Sequence, residues 1–369
     1  MPPEFAKPSV AIVGAGLIGM STAWRLAQQG FLVTVFDRGS IGGEASWAGA
    51  GMLAPGGEVE SASVFAHLCL ASRRLYAPFV RELEEASGLP IDYQECGGLD
   101  LAYSPEDASM LEARAAQQAT LGIRSKPVSR EQVASFWPRL NLEGLVAARF
   151  YPGDGIVDPR HLIAALKVVC RNLGVEIFEQ RPVFRVEVSS KSVVLETDSS
   201  TAAFDLAVIA AGAWSGSIPV QGLPPLPPAE PVKGHLIAYH QPHHTCTAIV
   251  RHRNLYLLQR ASGLLIAGAS VEHVGFNRSL DPKIVQELAE QAGFLFPHLR
   301  ETSPSDAWIG FRPASEAVHV EPWHSPRLYL AYGHYRNGIL LAPVTAARLV
   351  EEISANWGIQ RDVSAVSPG

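Results

Sequence analysis

The chain has 369 residues, with 30 lysine and arginine residues against 36 aspartate and glutamate residues. The resulting net charge of −6 argues against a dedicated nucleic-acid-binding protein, which would carry clustered excess basic residues. Hydrophobic residues make up 47% of the chain and charged residues only 18%, so it is predicted to bury large cores, and its length favours two domains over one.

The cysteines and the hydropathy pattern indicate a cytoplasmic protein. No Cys-x-x-Cys spacing occurs, which is typical of reduced core thiols rather than of a zinc site or redox dithiol; the cysteines are Cys69, Cys96, Cys170 and Cys246. No stretch approaches about 20 uninterrupted apolar residues, so no membrane span is predicted. No metal site is predicted, because the clustered histidines lie in polar turns without paired acids or cysteines; they are His240, His243, His244 and His252.

The first forty residues follow the order strand, glycine loop, helix, strand and acid. A short apolar run at 9–13 is typical of a strand buried on both faces, and it leads into Gly14-Ala-Gly-Leu-Ile-Gly19. A helix is predicted over 21–29, closed by Gly30, and a second strand over 31–36 ends in Asp37.

This order is what binding of a dinucleotide requires. Gly14 permits a tight turn, Gly16 lets the backbone approach a pyrophosphate, and Gly19 lets the helix pack closely on the strand. Leu17 and Ile18 complete the phosphate loop, where the helix N-terminus offers unpaired N–H groups. An acid at position 37 can accept hydrogen bonds from ribose hydroxyls, which favours FAD or NAD over NADP.

The motif by itself does not separate FAD from NAD. Its position at the start of the chain and the small residues that follow the second strand favour FAD. These small residues lie in the stretches 39–43 and 45–53, where a backbone without bulky side chains can lie against a flat ring system.

Helix and strand patterns alternate along the rest of the chain. Helices are predicted over residues 61–87, 105–121, 130–137, 161–173, 281–296 and 340–356. Strands are predicted at 175–178, 183–188, 193–197, 205–211, 235–239, 248–251, 254–259, 264–270 and 328–332. The proline-rich stretch 219–231 is interpreted as a linker between domains.

The pattern predicts an α/β protein in which a Rossmann-like FAD-binding domain carries an inserted antiparallel-sheet substrate domain. The FAD-binding domain is assigned discontinuously to residues 1–85, 140–216 and 300–369. The substrate-binding domain is assigned to residues 86–139 and 217–299.

Six sequence blocks together resemble the FAD-dependent D-amino-acid oxidase superfamily. They occur in the family's order over nearly the whole chain, at residues 14–19, 46–53, 207–215, 231–234, 310–313 and 333–343. The last block, Gly-His-Tyr-Arg-Asn-Gly-Ile-Leu-Leu-Ala-Pro, is the most specific, and with the second block it is most similar to the glycine-oxidase branch, which serves thiamine biosynthesis.

The resemblance implies non-covalent FAD and oxidation of an amine next to a carboxylate. Glycine, sarcosine and small D-amino acids are the expected substrates, with hydride transfer to flavin N5, reduction of O2 to H2O2, and release of an imino acid or glyoxylate. A homotetramer and functional coupling to a thiazole synthase are also implied. Some relatives attach flavin to a cysteine near the segment of Arg312, and this chain has no cysteine beyond Cys246.

The resemblance also implies the site residues. The FAD contacts are expected at Asp37, Arg38, Ala45, Ser46, Ala50, Gly51, Met52, Val183, Gly212, His334, Tyr335, Arg336, Asn337, Gly338, Ile339 and Leu340, besides the phosphate loop. The substrate pocket is expected to contain Arg312, Arg336 and Tyr256. An arginine suits the task because its planar guanidinium holds a carboxylate through two parallel donors. The flavin is the electron sink, so no general base is required at the substrate carbon.

Two other functions stay open from the sequence. One is a flavin dehydrogenase that acts on D-amino acids or D-proline-like amines and passes electrons to an acceptor other than O2. The other is a non-catalytic nucleotide-binding module that assembles with partners. The chain has no basic amphipathic membrane segment that would support the dehydrogenase. Arg312, Arg336 and Tyr256 together argue against the non-catalytic module.

Overall fold

A computed structural model describes residues 7–198, 200–241 and 245–358. His243 and His244, which belong to the histidine-containing turn, and the ends of the predicted FAD-binding domain lie outside these residues.

The described part of the chain forms nine α-helices and three short 3₁₀ helices. The α-helices are α1 (Leu17–Gln28), α2 (Ala45–Ala48), α3 (Pro55–Glu58), α4 (Val64–Ser87), α5 (Pro105–Thr120), α6 (Arg130–Phe136), α7 (Pro159–Asn172), α8 (Pro282–Leu295) and α9 (Gly338–Asn356). The 3₁₀ helices are Gly212–Ser217, Pro297–Leu299 and Tyr335–Asn337.

Twenty-one strands accompany these helices in the described residues. They are β1 (Ser9–Val13), β2 (Leu32–Phe36), β3 (Met52–Leu53), β4 (Tyr93–Gln94), β5 (Gly98–Ala102), β6 (Lys126–Pro127), β7 (Ala147–Tyr151), β8 (Gly155–Val157), β9 (Glu176–Phe178), β10 (Val183–Val188), β11 (Val193–Thr197), β12 (Thr201–Phe204), β13 (Leu206–Ile209), β14 (Val220–Gln221), β15 (Glu230–His240), β16 (Ile249–His252), β17 (Leu255–Gln259), β18 (Leu264–Gly268), β19 (Asp306–Ala314), β20 (His319–Pro322) and β21 (Leu328–Tyr332).

A six-stranded sheet carries the nucleotide-binding pattern. Its strand order is β20-β21-β13-β1-β2-β9, and all pairs except β20–β21 are parallel. In β1, Val10 and Ile12 join the core with helices α1, α4, α7 and α9, whereas Ala11 and Val13 join the core with β10 and β11 on the other face. Burial on both faces explains the continuous apolar run in this strand.

A mostly antiparallel sheet of eight strands forms the second layer, in the order β19-β15-β18-β17-β16-β5-β7-β6. Its longest strand, β15, pairs with β18 on one side and β19 on the other. Ile237 and Tyr239 of β15 pack in the core under α8, while Leu236 and Ala238 face the opposite way, towards Ala48 and Tyr256. This opposite face is therefore available for a binding site.

Local signals at the helix ends agree with several predicted elements. Helix α5 begins after Ser104, whose side chain accepts a hydrogen bond from the N–H of Asp107. Asp158 and Asp281 cap α7 and α8 in the same way. The predicted α/β fold, with a parallel Rossmann-like sheet and an antiparallel second sheet, is confirmed.

Two details differ from the sequence expectation. Strands β7 and β19 were assigned to the FAD-binding domain but pair within the eight-stranded sheet; the proposed domain boundaries otherwise stay a prediction. The proline-rich stretch is packed along much of its length, since Leu226 is buried and the carbonyls of Pro224 and Pro227 accept hydrogen bonds from Trp323 and Tyr332.

In the described residues, none of the helices has the length and apolarity needed to cross a membrane.

Candidate functional site

A cavity of about 430 Å³ is lined by residues of both sheets. Val13, Phe36 and Tyr332 line it, and each is the last residue of a strand of the parallel sheet. Ligands of open α/β sheets bind at this carboxyl edge. Leu236 and Tyr256 of the second sheet close the cavity from the opposite side.

The glycine loop shapes one end of the cavity. Gly14 has φ +112°, and a Cβ there would collide with the carbonyl of Ala210, so only glycine fits this turn. Helix α1 begins at Leu17 with no acidic residue in its first turn, which leaves a positive helix end facing the cavity. The N–H of Leu17 donates to Ser46 Oγ at 2.8 Å, which ties this loop to the second glycine-rich stretch.

Asp37 lies at the predicted place beyond β2 and lines the cavity. Its carboxylate accepts hydrogen bonds from the N–H groups of Ala15 (2.6 Å) and Gly39 (2.7 Å). Burial raises the pKa of Asp37 above its usual value, although these two N–H groups oppose the shift. The carboxylate thus braces the glycine loop, and Asp37 lines the cavity at the place in the motif where an acid binds a ribose.

An aromatic and ionic cluster beside Asp37 was not predicted from the sequence. The guanidinium of Arg38 lies 3.8 Å from the ring centroid of Trp214, and its Nη2 lies 3.4 Å from Glu44 Oε1. Trp214 stacks on Phe276 with centroids 4.5 Å apart. Trp214 belongs to the block 207–215, but its contact with Arg38 depends on the fold, because the two residues lie far apart in the chain.

The structure brings most of the expected cofactor residues together around the cavity. Those lining it are Gly14, Gly16, Leu17, Ile18, Asp37, Arg38, Ala45, Ser46, Ala50, Gly51, Met52, Val183, Gly212, His334, Tyr335, Arg336, Asn337, Gly338 and Ile339. Gly19 does not line the cavity and instead packs against the Gly14 carbonyl, the close approach expected of it. Leu340 does not line the cavity, because its side chain is buried in the helical core and its carbonyl accepts a hydrogen bond from Ser72 Oγ; its contact with FAD stays a prediction.

Arg312 points into the other end of the cavity from β19. Its Nη1 donates to the carbonyls of Ser270 (3.0 Å) and Lys233 (3.4 Å). Within the described residues, Nε and Nη2 have no hydrogen-bond partner and no carboxylate is paired with the guanidinium. Burial lowers the pKa of Arg312, but an arginine stays charged at neutral pH, so a cation with two unpaired donor nitrogens lines the cavity.

The position of Arg312 depends on Gly234 in the neighbouring strand. A Cβ on Gly234 would lie 2.7 Å from Arg312 Cζ, so the guanidinium lies flat across a site with no side chain. Ser270, whose carbonyl holds Arg312, is itself fixed through its hydroxyl to Glu272 and to the N–H of His235. The arginine is therefore held by backbone and buried polar contacts before any ligand binds.

Tyr256 lies on β17 and is nearly fully buried. Burial raises the pKa of its phenol, although the charges of Arg312 and Arg336 pull it down. The hydroxyl is therefore protonated at neutral pH and can donate a hydrogen bond. Tyr256 lines the same cavity as both predicted arginines.

Arg336 has a different environment from Arg312. Its Nε lies 3.9 Å from Glu58 Oε2, and Glu58 also accepts a 3.4 Å hydrogen bond from Asn337 Nδ2. Glu58 was missed in the sequence, because it ends the four-residue helix α3, which is too short for any periodic signal.

His334 is buried with its Nε2 against Thr345 Oγ1 at 2.9 Å, and burial lowers its pKa to about 3.

The residues around the cavity fit FAD. A glycine turn and a helix N-terminus suit a pyrophosphate, the acid suits a ribose, and small residues at 48–51 leave room for a flat ring system. None of the cysteines, all of which lie in the described residues, lines the cavity. The fold and this site are those of a flavin-dependent oxidoreductase.

The chain belongs to the DAO family of FAD-dependent oxidoreductases, whose model matches residues 9–352. It is similar to glycine oxidase of Geobacillus kaustophilus, with 33% identity over 93% of this chain and 92% of that protein. The crystal structure of that enzyme has a TM-score of 0.87 and covers 94% of this chain and 95% of its own. The bifunctional ThiO/ThiG protein of Synechocystis sp. is 35% identical over 97% of this chain, which spans 53% of that longer protein.

Proposed function

We propose that this FAD-dependent enzyme oxidises glycine and other small amines that carry a carboxylate next to the amine-bearing carbon. The observation that carries the proposal is the free donor edge of Arg312 in the cavity that fits FAD and that the protonated Tyr256 also lines. The similarity to glycine oxidases supports glycine as the substrate.

The residues of the chain bind and orient the substrate. Nε and Nη2 of Arg312 donate hydrogen bonds to the two carboxylate oxygens of the substrate, and the hydroxyl of Tyr256 donates to the same carboxylate. This fixes the α-carbon while Leu236 and Met52 supply apolar surface around it. FAD, when bound, supplies the acceptor for the hydride from that carbon. His334 takes no proton at this stage, since its Nε2 is paired with Thr345 and it stays neutral.

Finer features of the proposal follow from the resemblance. Sarcosine and small D-amino acids are further substrates, O2 is reduced to H2O2, and the imino acid product hydrolyses to glyoxylate or enters thiazole synthesis for thiamine. The similarity to bifunctional ThiO/ThiG proteins supports functional coupling to a thiazole synthase. Cytoplasmic location, non-covalent FAD and a homotetramer belong to the same proposal.

A peroxide assay tests this function. The purified holoenzyme is given glycine, sarcosine, D-alanine or D-proline in turn, and oxygen consumption and peroxide are measured together. The proposal predicts one peroxide for each amine oxidised, with glycine among the substrates. Oxidation of the amine with an added dye but without peroxide would instead indicate a dehydrogenase.

A further inference from the structure

An acidic residue, Glu58, stands at the substrate end of the cavity. Its side chain is only 15% exposed and lies between Arg336 and Asn337. It lines the same cavity as Tyr256 and Arg312. An acidic side chain beside a carboxylate-binding site repels the bound anion, so a role for Glu58 must be sought in the charges around it.

Buried hydrogen bonds hold the backbone on both sides of Glu58. The N–H of Gly56 donates to Asp154 Oδ1 at 3.0 Å. Gln118 reaches from α5, and its Nε2 donates to the carbonyls of Gly56 (2.9 Å) and Val59 (2.6 Å). The position of the acid is therefore built into the fold rather than left to a mobile surface chain.

The charges at the cavity can be counted residue by residue. Three arginines line it, and two have a carboxylate partner: Arg38 has Glu44, which it shares with Arg278, and Arg336 has Glu58. Among the described residues that line the cavity, Arg312 is the cation with no such partner.

The other titratable groups nearby leave this count unchanged. His334 is neutral at physiological pH and Tyr256 stays protonated. Arg260 is paired with Asp158 at 2.6 Å, and Lys233 donates to the carbonyl of Ser279 at 2.6 Å and faces Glu272. The substrate end of the cavity therefore has one uncompensated positive charge.

We propose that Glu58 sets the charge specificity of this site: by neutralising Arg336 it leaves Arg312 to bind a single carboxylate, so that amines carrying a second carboxylate are rejected. The proposal rests on the proposed function for the identity of the reaction. It adds a specificity-determining residue that acts through Arg336 and through direct repulsion of a second anion.

A second cavity, of about 440 Å³, shows where a larger substrate would extend. Met52, Glu58, Tyr256 and Arg336 line both cavities, so the Glu58–Arg336 pair stands at their junction. A group on the substrate nitrogen that reaches this junction meets the carboxylate of Glu58 first. A methyl group is tolerated there, whereas a second carboxylate is repelled.

The test compares sarcosine with iminodiacetate, two N-substituted glycines that differ in the charge of the substituent. Glu58→Gln removes the charge, Glu58→Asp keeps it, and Glu60→Gln removes an exposed acid that lines only the second cavity. For Glu58→Gln the ratio of kcat/KM for iminodiacetate to that for sarcosine rises by about tenfold or more. For the other two variants it stays within about twofold of the parent value.

A binding measurement makes the result independent of turnover. Calorimetry with the holoenzyme gives dissociation constants for acetate and malonate, which are not oxidised. Glu58→Gln is expected to tighten malonate by about tenfold or more and to change acetate by less than about threefold. The role of Glu58 would be overturned by equal changes in the affinities for both anions. It would also be overturned if neither the preference for malonate over acetate nor that for iminodiacetate over sarcosine changed. Tighter malonate in a protein that oxidises neither glycine nor sarcosine would support the charge assignment and refute the proposed function.

Discussion

Replacing Arg312 by methionine removes the guanidinium but keeps an unbranched side chain of similar length. In the structure, Nη1 is occupied by the carbonyls of Ser270 and Lys233, so the substrate carboxylate depends on the edge formed by Nε and Nη2. Losing this charge-assisted pair costs about 2–3 kcal/mol, which corresponds to an increase of about 30- to 150-fold in the KM for glycine.

The folded state should tolerate this change. Arg312 is partly buried without a carboxylate partner, and burial lowers its pKa. The charge of Arg312 therefore already reduces the stability of the folded protein. We therefore expect Arg312→Met to retain FAD and to unfold at a temperature equal to or above that of the parent. Stability is followed by circular dichroism, and KM by oxygen consumption.

The matched control is Arg253→Met, which removes an arginine of the second cavity whose side chain is 65% exposed. Its KM for glycine should stay within about threefold of the parent value. A normal KM for glycine in Arg312→Met with full FAD content would refute the assignment of the carboxylate site.

Three further changes test other parts of the account. Gly14→Ala places a Cβ against the Ala210 carbonyl at a strained φ, so the purified protein should lose most of its FAD, read from the flavin-to-protein absorbance ratio; full FAD content would contradict this. Gly234→Ala should raise the KM for glycine at least about tenfold by displacing Arg312, with FAD retained; an unchanged KM would show that the guanidinium does not need this space. The pKa of His334 is lowered to about 3, so the unfolded state binds more protons between that value and 6.5, and stability is lost as pH falls through this range. The gap in melting temperature between the parent and His334→Asn should therefore shrink as pH falls from 7 to 5, and a constant gap would contradict the shift.

The features that the sequence predicts best are those encoded over a few adjacent residues. The turn at Gly14 and the acid at the end of β2 each act on their own segment, so local chemistry suffices to recognise them. The blocks around Arg312 and Arg336 are similarly compact, and their family resemblance gave the cofactor and substrate residues together.

The missed features depend on contacts between distant segments. The space above Gly234 exists because β15 and β19 pair in a register that places Arg312 across it. Glu58 is positioned by Gln118 and Asp154, which lie far along the chain. The side chain of Leu340 faces the core although its neighbours in the block line the cavity, and only the orientation of α9 decides this direction. None of these contacts has a periodic or local signature.

The most direct test of the central claim is an anaerobic titration of the purified yellow protein with glycine, followed at the absorbance band of oxidised flavin. The account predicts that glycine bleaches this band, that Arg312→Met requires a much higher glycine concentration for the same effect, and that air restores the band with release of peroxide. A flavin-loaded protein whose band stays unchanged with glycine, sarcosine and small D-amino acids would contradict the account.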